Sequence, residues 1–512
     1  MTLRNGRTKI LSTSAILLFS LLVTLWNVFS VGLSHWDEYA YLATAEWFLR
    51  LPTGAFTIFE PPGFSFVVAI FFRLFGVYDY VAIAVSAVFA SLTVATVAYF
   101  GSKHFGAGVG VASSLILLFC PLFLTYARMA LTDMMFTFLF TLTLFAFYEC
   151  VSGGKRYFIL SSLALAACTM TKYNAFMVVL LFGAYVIMAF RKPLSVLRRM
   201  LPTLGPSCIL NLAFIFLLGA LSYRIHYEAK VHHLASVLRG AFSNPLSTMI
   251  DGLKLFYRTS VAAHNTQFLF FPFTTAPYYF LVLVNFVQIP VLLIAIVGMI
   301  LTDRHSRQEI FALVWLIGTF ILISSVPASF SRAILPMLPS IALEAALGLK
   351  KLAFLGSSLV QKRLPKLNFH SAPVICLVLV AAVIFSSVSP TVQVLSLPHN
   401  SYRLAAECIP LNATLLAETQ PVIDFYHPFT SFQNLTQSAL SKKQFLVVDY
   451  TAYVHGYGPL IAQLVEEHKI VLLKVIPANL PPEVYLDTLN FAQLNQIGNQ
   501  NYGYIQVYQI VS

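Results

Sequence analysis

Residues 10–33 read ILSTSAILLFSLLVTLWNVFSVGL and contain no charged side chain. A helix that crosses the hydrocarbon core of a bilayer needs about 20 apolar residues, so this stretch is long enough to do so. It is also longer than the apolar core of a signal peptide, and no obvious small-residue cleavage site follows it. The sequence therefore predicts a retained first transmembrane helix.

The composition of the whole chain supports that interpretation. Of 512 residues, 58% are hydrophobic and 10% are charged, whereas soluble proteins carry about 25% charged residues. A soluble, disordered, coiled-coil or collagen-like chain is excluded. The net charge of +12 is no nucleic-acid signal, because residues 1–390 hold 27 Lys and Arg against 12 Asp and Glu, while residues 391–512 hold 5 against 8. The excess of basic residues belongs to the membrane part, where topology explains it.

Ten further apolar runs resemble the first and predict, with it, about eleven transmembrane helices. The runs cover approximately residues 10–33, 79–101, 107–127, 134–151, 157–171, 174–190, 202–222, 279–302, 310–326, 333–349 and 373–390. The run at 64–75 is shorter, and counting it as a span would place the basic cluster at 191–199 outside. With it treated as a juxtamembrane helix, seventeen cations fall inside and nine in the outer loops, besides Arg73 of that helix itself, as the positive-inside rule requires. The N-terminus is then predicted to be cytoplasmic.

Eleven crossings that start from a cytoplasmic N-terminus end outside the cell. The sequence therefore predicts that residues 391–512 lie there, as a domain distinct from the transmembrane domain of residues 1–390. Two N-x-T sequons, at Asn412 and Asn434, are compatible with that location. Short apolar runs alternate there with helix-like stretches, which is typical of a small α/β domain. Its predicted strands cover residues 415–418, 445–450, 470–476 and 504–511. No motif in this tail indicates chemistry of its own, so a structural or acceptor-contacting module is expected.

Carboxylates gather at the predicted outer face. Four of the twelve in residues 1–390 lie in the first outer loop, and a fifth, Asp133, begins the span at 134–151. Intramembrane and boundary carboxylates often mark a water-filled cavity, and Asp37 and Asp133 could share one. Capping of the following helices is an equally good explanation for Asp37, Glu38 and Asp133. Glu60 precedes two prolines and is also explained as a plain loop acid.

Three cations, Arg128, Lys172 and Arg332, lie at predicted outer helix ends. For each one alone, snorkelling toward lipid headgroups is the simpler explanation. Opposite a cluster of carboxylates, however, they favour a pocket that binds a lipid phosphate, because guanidinium and ammonium groups are common phosphate ligands. The histidines His232, His233 and His264 show no metal-ligand spacing.

An ordered set of motifs resembles the membrane-embedded C superfamily of glycosyltransferases, in particular the dolichyl-phosphate-mannose protein mannosyltransferase and aminoarabinose transferase families. The motifs are His35-Trp-Asp-Glu-Tyr-Ala-Tyr41, Glu60-Pro-Pro-Gly63, Leu74-Phe-Gly-Val77, Ala127-Arg-Met-Ala-Leu-Thr-Asp133, Thr171-Lys-Tyr-Asn174 and Ser331-Arg-Ala-Ile-Leu-Pro-Met-Leu-Pro339. They cover about residues 10–350. The chain departs from aminoarabinose transferases in having Glu60 where those enzymes have a lysine.

The resemblance implies inverting transfer of a sugar, hexosyl, mannosyl or pentosyl, from a polyprenyl-phosphate donor to a protein, lipid or glycan acceptor at the outer face. It implies that Asp37 is the general base and that Glu38 orients or hydrogen-bonds the substrate. Arg128 would bind the donor phosphate, with Lys172 and Arg332 as further candidates. Asp133 and Glu60 would position substrate or a cation.

Cofactor use and the rival functions stay open at this point. If a divalent cation is used, Asp37 and Asp133 are its predicted ligands. A secondary transporter predicts internal repeats and ionisable residues at mid-bilayer, and the sequence shows no convincing repeat. A non-catalytic protein that handles polyprenyl-phosphate sugars would share the phosphate-binding cations without needing Asp37 as a base.

Overall fold

The computed structural model describes residues 2–55, 61–154, 157–198, 275–325, 330–363, 371–396, 400–417, 421–427, 430–432, 443–454, 456–478, 482–485 and 503–511, with a few single positions between them. Most of these residues are helical. The helices of the membrane part are α1 (Thr2–Thr24), α2 (Trp36–Phe48), α3 (Gly63–Phe75), α4 (Asp79–His104), α5 (Ala107–Leu118), α6 (Pro121–Ala127), α7 (Thr132–Val151), α8 (Tyr157–Thr169), α9 (Phe176–Ala189), α10 (Ala276–Phe286), α11 (Ile289–Ile300), α12 (Arg307–Ser324), α13 (Leu338–Arg363) and α14 (Ser371–Ser396).

Six stretches of the described residues are long and apolar enough to cross a membrane, and up to eight if each of two bent pairs is one span. The six contain α1, α4, α7, α12, α13 and α14. The protein is therefore an integral membrane protein, as predicted, whereas the described residues do not confirm the count of eleven. The run at 202–222 lies largely outside the described residues. The runs at 157–171 and 174–190 form the shorter helices α8 and α9, and 13 residues extend only about 20 Å along a helix axis.

Two of the predicted spans are broken helices. The run at 107–127 forms α5 and α6, which meet at 66° where Pro121 begins α6. The run at 279–302 forms α10 and α11, which meet at 117°. Gln288 has a φ of 75°, a conformation that side chains other than glycine rarely adopt, and Pro290 follows it. The single straight helix predicted there is thus replaced by two.

Helix α3 has the length expected of a juxtamembrane helix. Its 13 residues are too few to cross a bilayer alone. It ends at Gly76, whose φ of 91° is in the range that favours glycine. Helix α3 packs against α2 and α4, and α4 in turn packs against α1, α5 and α7.

Glycines allow two helix pairs in the membrane part to approach closely. Gly101 of α4 lies against Gly110 of α5, and a Cβ on either would overlap its neighbour. Gly298 of α11 and Gly348 of α13 do the same against backbone carbonyls of the facing helix. Such small-residue contacts are a common way for membrane helices to pack.

The C-terminal residues form a small mixed sheet with short helices. Its strands are β1 (Leu415–Ala417), β2 (Thr430–Phe432), β3 (Phe445–Val448), β4 (Ile470–Pro477) and β5 (Tyr504–Ile510), in the order β2-β1-β3-β5-β4. Strand β1 pairs in parallel with β2 and β3, whereas β5 is antiparallel to β3 and β4. The short helices are α15 (Ser401–Glu407), α16 (Tyr450–Val454), α17 (Gly458–Glu466) and α18 (Pro482–Tyr485). The four predicted strands are present, and β2 is the addition. We call the described residues from 400 onward the C-terminal module.

Candidate active site

Glu38 organises the turn that begins α2. The helix starts with a capping box, in which the His35 ring accepts a hydrogen bond from the Asp37 amide and Glu38 accepts one from the His35 amide at 2.7 Å. The fully buried Glu38 carboxylate also accepts from the amides of Ser34 and Ala130, both at 2.6 Å. Burial raises the pKa of Glu38, against the opposing effect of these amides. Both oxygens therefore bind backbone, which supports a positioning role for Glu38.

Four charged side chains of alternating sign lie next to this turn. Nη2 of Arg332 donates a hydrogen bond to Oδ2 of Asp37, and Nη1 of the same guanidinium lies 3.8 Å from Oδ2 of Asp133. Nζ of Lys172 donates to Oδ1 of Asp133 at 2.7 Å. We call Asp37, Arg332, Asp133 and Lys172 the charge cluster. Its formal charges cancel, so each cation already has a carboxylate partner.

Asp37 is the accessible acid of the charge cluster. Its side chain is 25% exposed, against 3% for Asp133. Burial acts to raise the pKa of Asp37, but the charge and hydrogen bond of Arg332, with smaller contributions from His35 and Lys172, bring the pKa below its usual 3.8. Asp37 is therefore ionised at neutral pH and open to a substrate.

The loop that carries Lys172 is fixed by two other predicted motifs. The amide of Gly63 donates to the carbonyl of Met170 at 2.9 Å, and Oγ1 of Thr132 donates to the carbonyl of Thr171 at 3.1 Å. A Cβ at Gly63 would overlap the Met170 carbonyl, so only glycine permits this approach. Glu60, three positions before Gly63, lies outside the described residues.

Arg332 lies on a short 3-10 helix, Ser331–Met337, that two hydrogen bonds attach to the helices around it. The hydroxyls of Tyr126 and Ser331 are 2.6 Å apart, and the Trp315 indole donates to the Pro336 carbonyl at 3.0 Å. The guanidinium also lies over the Phe330 ring, 5.4 Å from its centroid. Tyr126 and Trp315 were not predicted as site residues, because each is an ordinary apolar-face residue of its own helix.

Arg128 lies apart from the charge cluster. Its Nη1 donates to the carbonyls of Trp26 and Thr24 at the end of α1, at 2.5 and 3.4 Å. The side chain is buried, and Nε and Nη2 have no hydrogen-bond partner among the described residues. A buried guanidinium with unfilled donors is costly and matches the geometry of a phosphate. Of the three predicted phosphate ligands, Arg128 is the one without a carboxylate partner among the described residues.

The predicted alternative use of Asp37 and Asp133 as ligands of a divalent cation does not fit this arrangement. The Arg332 guanidinium contacts both carboxylates, so the position between them already holds a positive charge. Within the part of the chain that the structure describes, no three His, Cys, Asp or Glu side chains are grouped closely enough to hold a metal ion.

The comparisons with known proteins bear on this site and on the fold. Residues 60–219 match the family model of dolichyl-phosphate-mannose-protein mannosyltransferase. No curated protein sequence matches the chain. The structure is similar to ArnT from Cupriavidus metallidurans bound to undecaprenyl phosphate, with 14% identity and a TM-score of 0.57 over 98% of both chains. It is also similar to the oligosaccharyltransferase AglB from Archaeoglobus fulgidus in complex with an inhibitory peptide and a dolichol-phosphate, with 13% identity and a TM-score of 0.53 over 86% of this chain and 70% of that one.

These similarities extend along nearly the whole chain, and the matched residues 60–219 include Arg128, Asp133 and Lys172. The family model describes a mannosyltransferase, and AglB is an oligosaccharyltransferase. The resemblance predicted from the motifs is confirmed at the level of the fold, which the protein shares with ArnT and AglB, and residues 60–219 match the mannosyltransferase family model.

Proposed function

We propose that the protein transfers a sugar from a polyprenyl-phosphate donor to an acceptor hydroxyl at the outer face of the membrane, with inversion at the anomeric carbon. The observation that carries the proposal is Asp37, an ionised and partly exposed carboxylate that Arg332 holds where the motif loops meet. The bound undecaprenyl phosphate of ArnT and dolichol-phosphate of AglB support a lipid-phosphate donor. The acceptor is a hydroxyl of a protein, lipid or glycan.

Asp37 is the general base of this reaction. The acceptor oxygen attacks the anomeric carbon as its proton passes to the Asp37 carboxylate, and the bond from that carbon to the phosphate oxygen breaks. The donor phosphodiester leaves as a polyprenyl phosphate monoester with one more negative charge. When Asp37 becomes neutral, Asp133 still compensates the Arg332 guanidinium, 3.8 Å away.

Arg128 stabilises the leaving phosphate through Nε and Nη2. Donors that are fixed before the reaction favour charge that develops in the transition state, since they need no reorganisation. Lys172 and Arg332 are secondary phosphate ligands, because a phosphate must compete with their carboxylate partners. Glu38 positions Asp37, and Asp133 positions Arg332 and Lys172. For Glu60, which lies outside the described residues, we keep the predicted role of positioning substrate or a cation.

The test compares wild type with Asp37→Asn in lipid, using radiolabelled polyprenyl-phosphate hexoses and pentoses as donors and native membrane extract as acceptor. We expect the variant to lose transfer by about 100-fold or more, the usual contribution of a general base, with donor binding retained. The matched control is Asp303→Asn, which removes an exposed carboxylate in the loop before α12 and should transfer at the wild-type rate.

Full activity of Asp37→Asn would exclude Asp37 as the base. Donor binding without transfer from any donor in wild type would favour a protein that handles lipid-linked sugars without catalysis. Donor uptake into sealed vesicles without transfer would favour a secondary transporter.

A further inference from the structure

The turn that carries Asp37 is bonded on both sides to the C-terminal module. Before the turn, the amide of Leu33 donates to the hydroxyl of Tyr426 at 2.9 Å. After it, the hydroxyl of Tyr39 donates to Oδ2 of Asp424 at 2.5 Å. Asp37 lies between these two attachments, two residues from Tyr39. Tyr39 and Asp424 are 385 positions apart in the chain, so the contact depends entirely on how the module docks.

A second set of contacts fixes the chain that leads into the turn. Arg403 of α15 donates through Nη2 to the carbonyl of Val31 at 3.0 Å and through Nη1 to the carbonyl of Phe29 at 3.2 Å. The same guanidinium is ion-paired with Asp79, the buried first residue of α4. The Tyr426 hydroxyl donates to that Asp79 carboxylate at 2.6 Å. The module thus bonds to the residues before α2 and to the start of α4 at once.

Among the described residues, a single side-chain hydrogen bond, from Arg332, limits the movement of Asp37. Its placement therefore depends on the backbone from which it extends, and a displacement of about 1 Å in a reacting group can lower a rate by about 100-fold. Backbone contacts at residues 29, 31 and 33 and the side-chain contact at residue 39 restrain that backbone. In three of these four contacts, the partner from the C-terminal module is a charged side chain, either Arg403 or Asp424.

We propose that the C-terminal module is a positioning element for the transfer reaction, in which the Tyr39–Asp424 hydrogen bond and the Tyr426 hydroxyl hold the Asp37 turn in its reactive place. This inference rests on the function proposed above. In this inference, the C-terminal module assists catalysis through the Asp37 turn, and none of its residues contacts the substrate. Tyr39 and Asp424 are positioning residues of this site.

The experiment uses the full-length protein in lipid and three variants: Tyr39→Phe, Asp424→Asn and the double variant. We expect each single variant to reduce kcat by about tenfold, with the Kd for undecaprenyl phosphate unchanged, because Arg128 is bonded elsewhere, to the end of α1. The double variant should be no slower than the worse single variant, because both changes remove one contact. The matched control is Glu467→Gln, which changes an exposed carboxylate of the same module paired only with Lys469 and Gln463.

Hydrogen exchange supplies a readout that does not need activity. The amides of residues 34–38 should exchange faster in Asp424→Asn than in wild type or Glu467→Gln. Wild-type kcat in folded Tyr39→Phe and Asp424→Asn, effects that add in the double variant, or unchanged exchange at residues 34–38 would each overturn the positioning role. If wild type itself transfers no sugar from any donor, the proposed function has failed; an active wild type with unaffected variants overturns only this inference.

Discussion

At the scale of single residues, Arg332 determines the protonation state of Asp37. The carboxylate is largely buried, and burial alone would raise its pKa. The guanidinium reverses that effect and keeps the base ionised. The same contact makes Asp37 a weaker base, because a carboxylate with a lower pKa binds a proton less strongly. The charge cluster thus keeps Asp37 ionised at the expense of its basicity.

The pH profile of the reaction tests this relation. In wild type, transfer should remain active as the pH falls until the Asp37 pKa, below 3.8, is approached. In Arg332→Gln the lowering charge is gone, the pKa of Asp37 rises, and the acid limb of kcat/KM should move up by about 1–3 pH units. Arg332→Lys keeps a positive charge and should retain more of the wild-type profile. An acid limb at the same pH in Arg332→Gln would contradict the assignment.

Arg128 makes a different contribution, through binding. Charged hydrogen bonds contribute about 1.5–3 kcal/mol each, and 1.4 kcal/mol is a tenfold change in affinity. Arg128→Gln should therefore weaken binding of undecaprenyl phosphate by about 10-fold to 100-fold, measured by titration in detergent or nanodiscs. Arg304→Gln, at an exposed position in the loop before α12, is the control. Equal affinity in Arg128→Gln and wild type would assign the phosphate to Lys172 and Arg332 instead.

At the scale of elements, the site is assembled where loops meet at helix ends. Hydrogen bonds to backbone groups join the start of α2, the start of α3, the loop before α7 and the loop after α8. They are made by the Glu38 and Thr132 side chains and by the Gly63 amide. The charged groups are therefore held by backbone as well as by each other. A change that separates two of these elements should lower activity without removing any charged group.

Gly63→Ala would separate the start of α3 from the loop that carries Lys172 by adding a single carbon atom. Its Cβ would overlap the Met170 carbonyl, and overpacking of this kind costs about 1–3 kcal/mol. We expect a lower thermal midpoint and slower transfer, because the Met170–Lys172 backbone must shift. Gly183→Ala in α9 is the control, because a Cβ there meets no atom of the described residues within 4 Å. A thermal midpoint and rate equal to those of the control would show that the loop adapts freely.

The elements also show what the sequence could predict. Hydropathy predicts the long helices, and the members of the charge cluster are predicted as site residues because each lies at or near the end of an apolar run. Hydropathy carries no direction, however, so the reversal between α10 and α11 at Gln288 was not predicted. The contact of Tyr39 with Asp424 was not predicted either, because a hydrogen bond across 385 positions leaves no local pattern.

At the scale of the whole molecule, contacts between distant residues show which parts of the chain lie on the same side of the membrane, which the number of spans alone does not. Whether the bent pair α10 and α11 crosses the membrane changes the parity of everything after it. The Asp37 turn and the C-terminal module nevertheless touch through Tyr39 and Asp424, so they lie on the same side for either count. The opposite end of α4 carries Lys103, which is ion-paired with Glu149 near the end of α7.

The two ends of α4 therefore mark the two sides of the membrane. Which end is outside the cell can be measured with a membrane-impermeant thiol reagent. Two single-cysteine variants are compared in intact cells, one retaining Cys408 in the C-terminal module and the other retaining Cys150, next to Glu149. We expect Cys408 to react in intact cells and Cys150 only after permeabilisation, because the excess of Lys and Arg predicts that the Cys150 side is cytoplasmic. Cys408 is partly exposed, and its sulfur accepts a contact from Nζ of Lys474 at 3.4 Å. The reverse pattern of labelling would place the charge cluster on the cytoplasmic side and would exclude transfer at the outer face, while leaving the fold and the contact between Tyr39 and Asp424 unaffected.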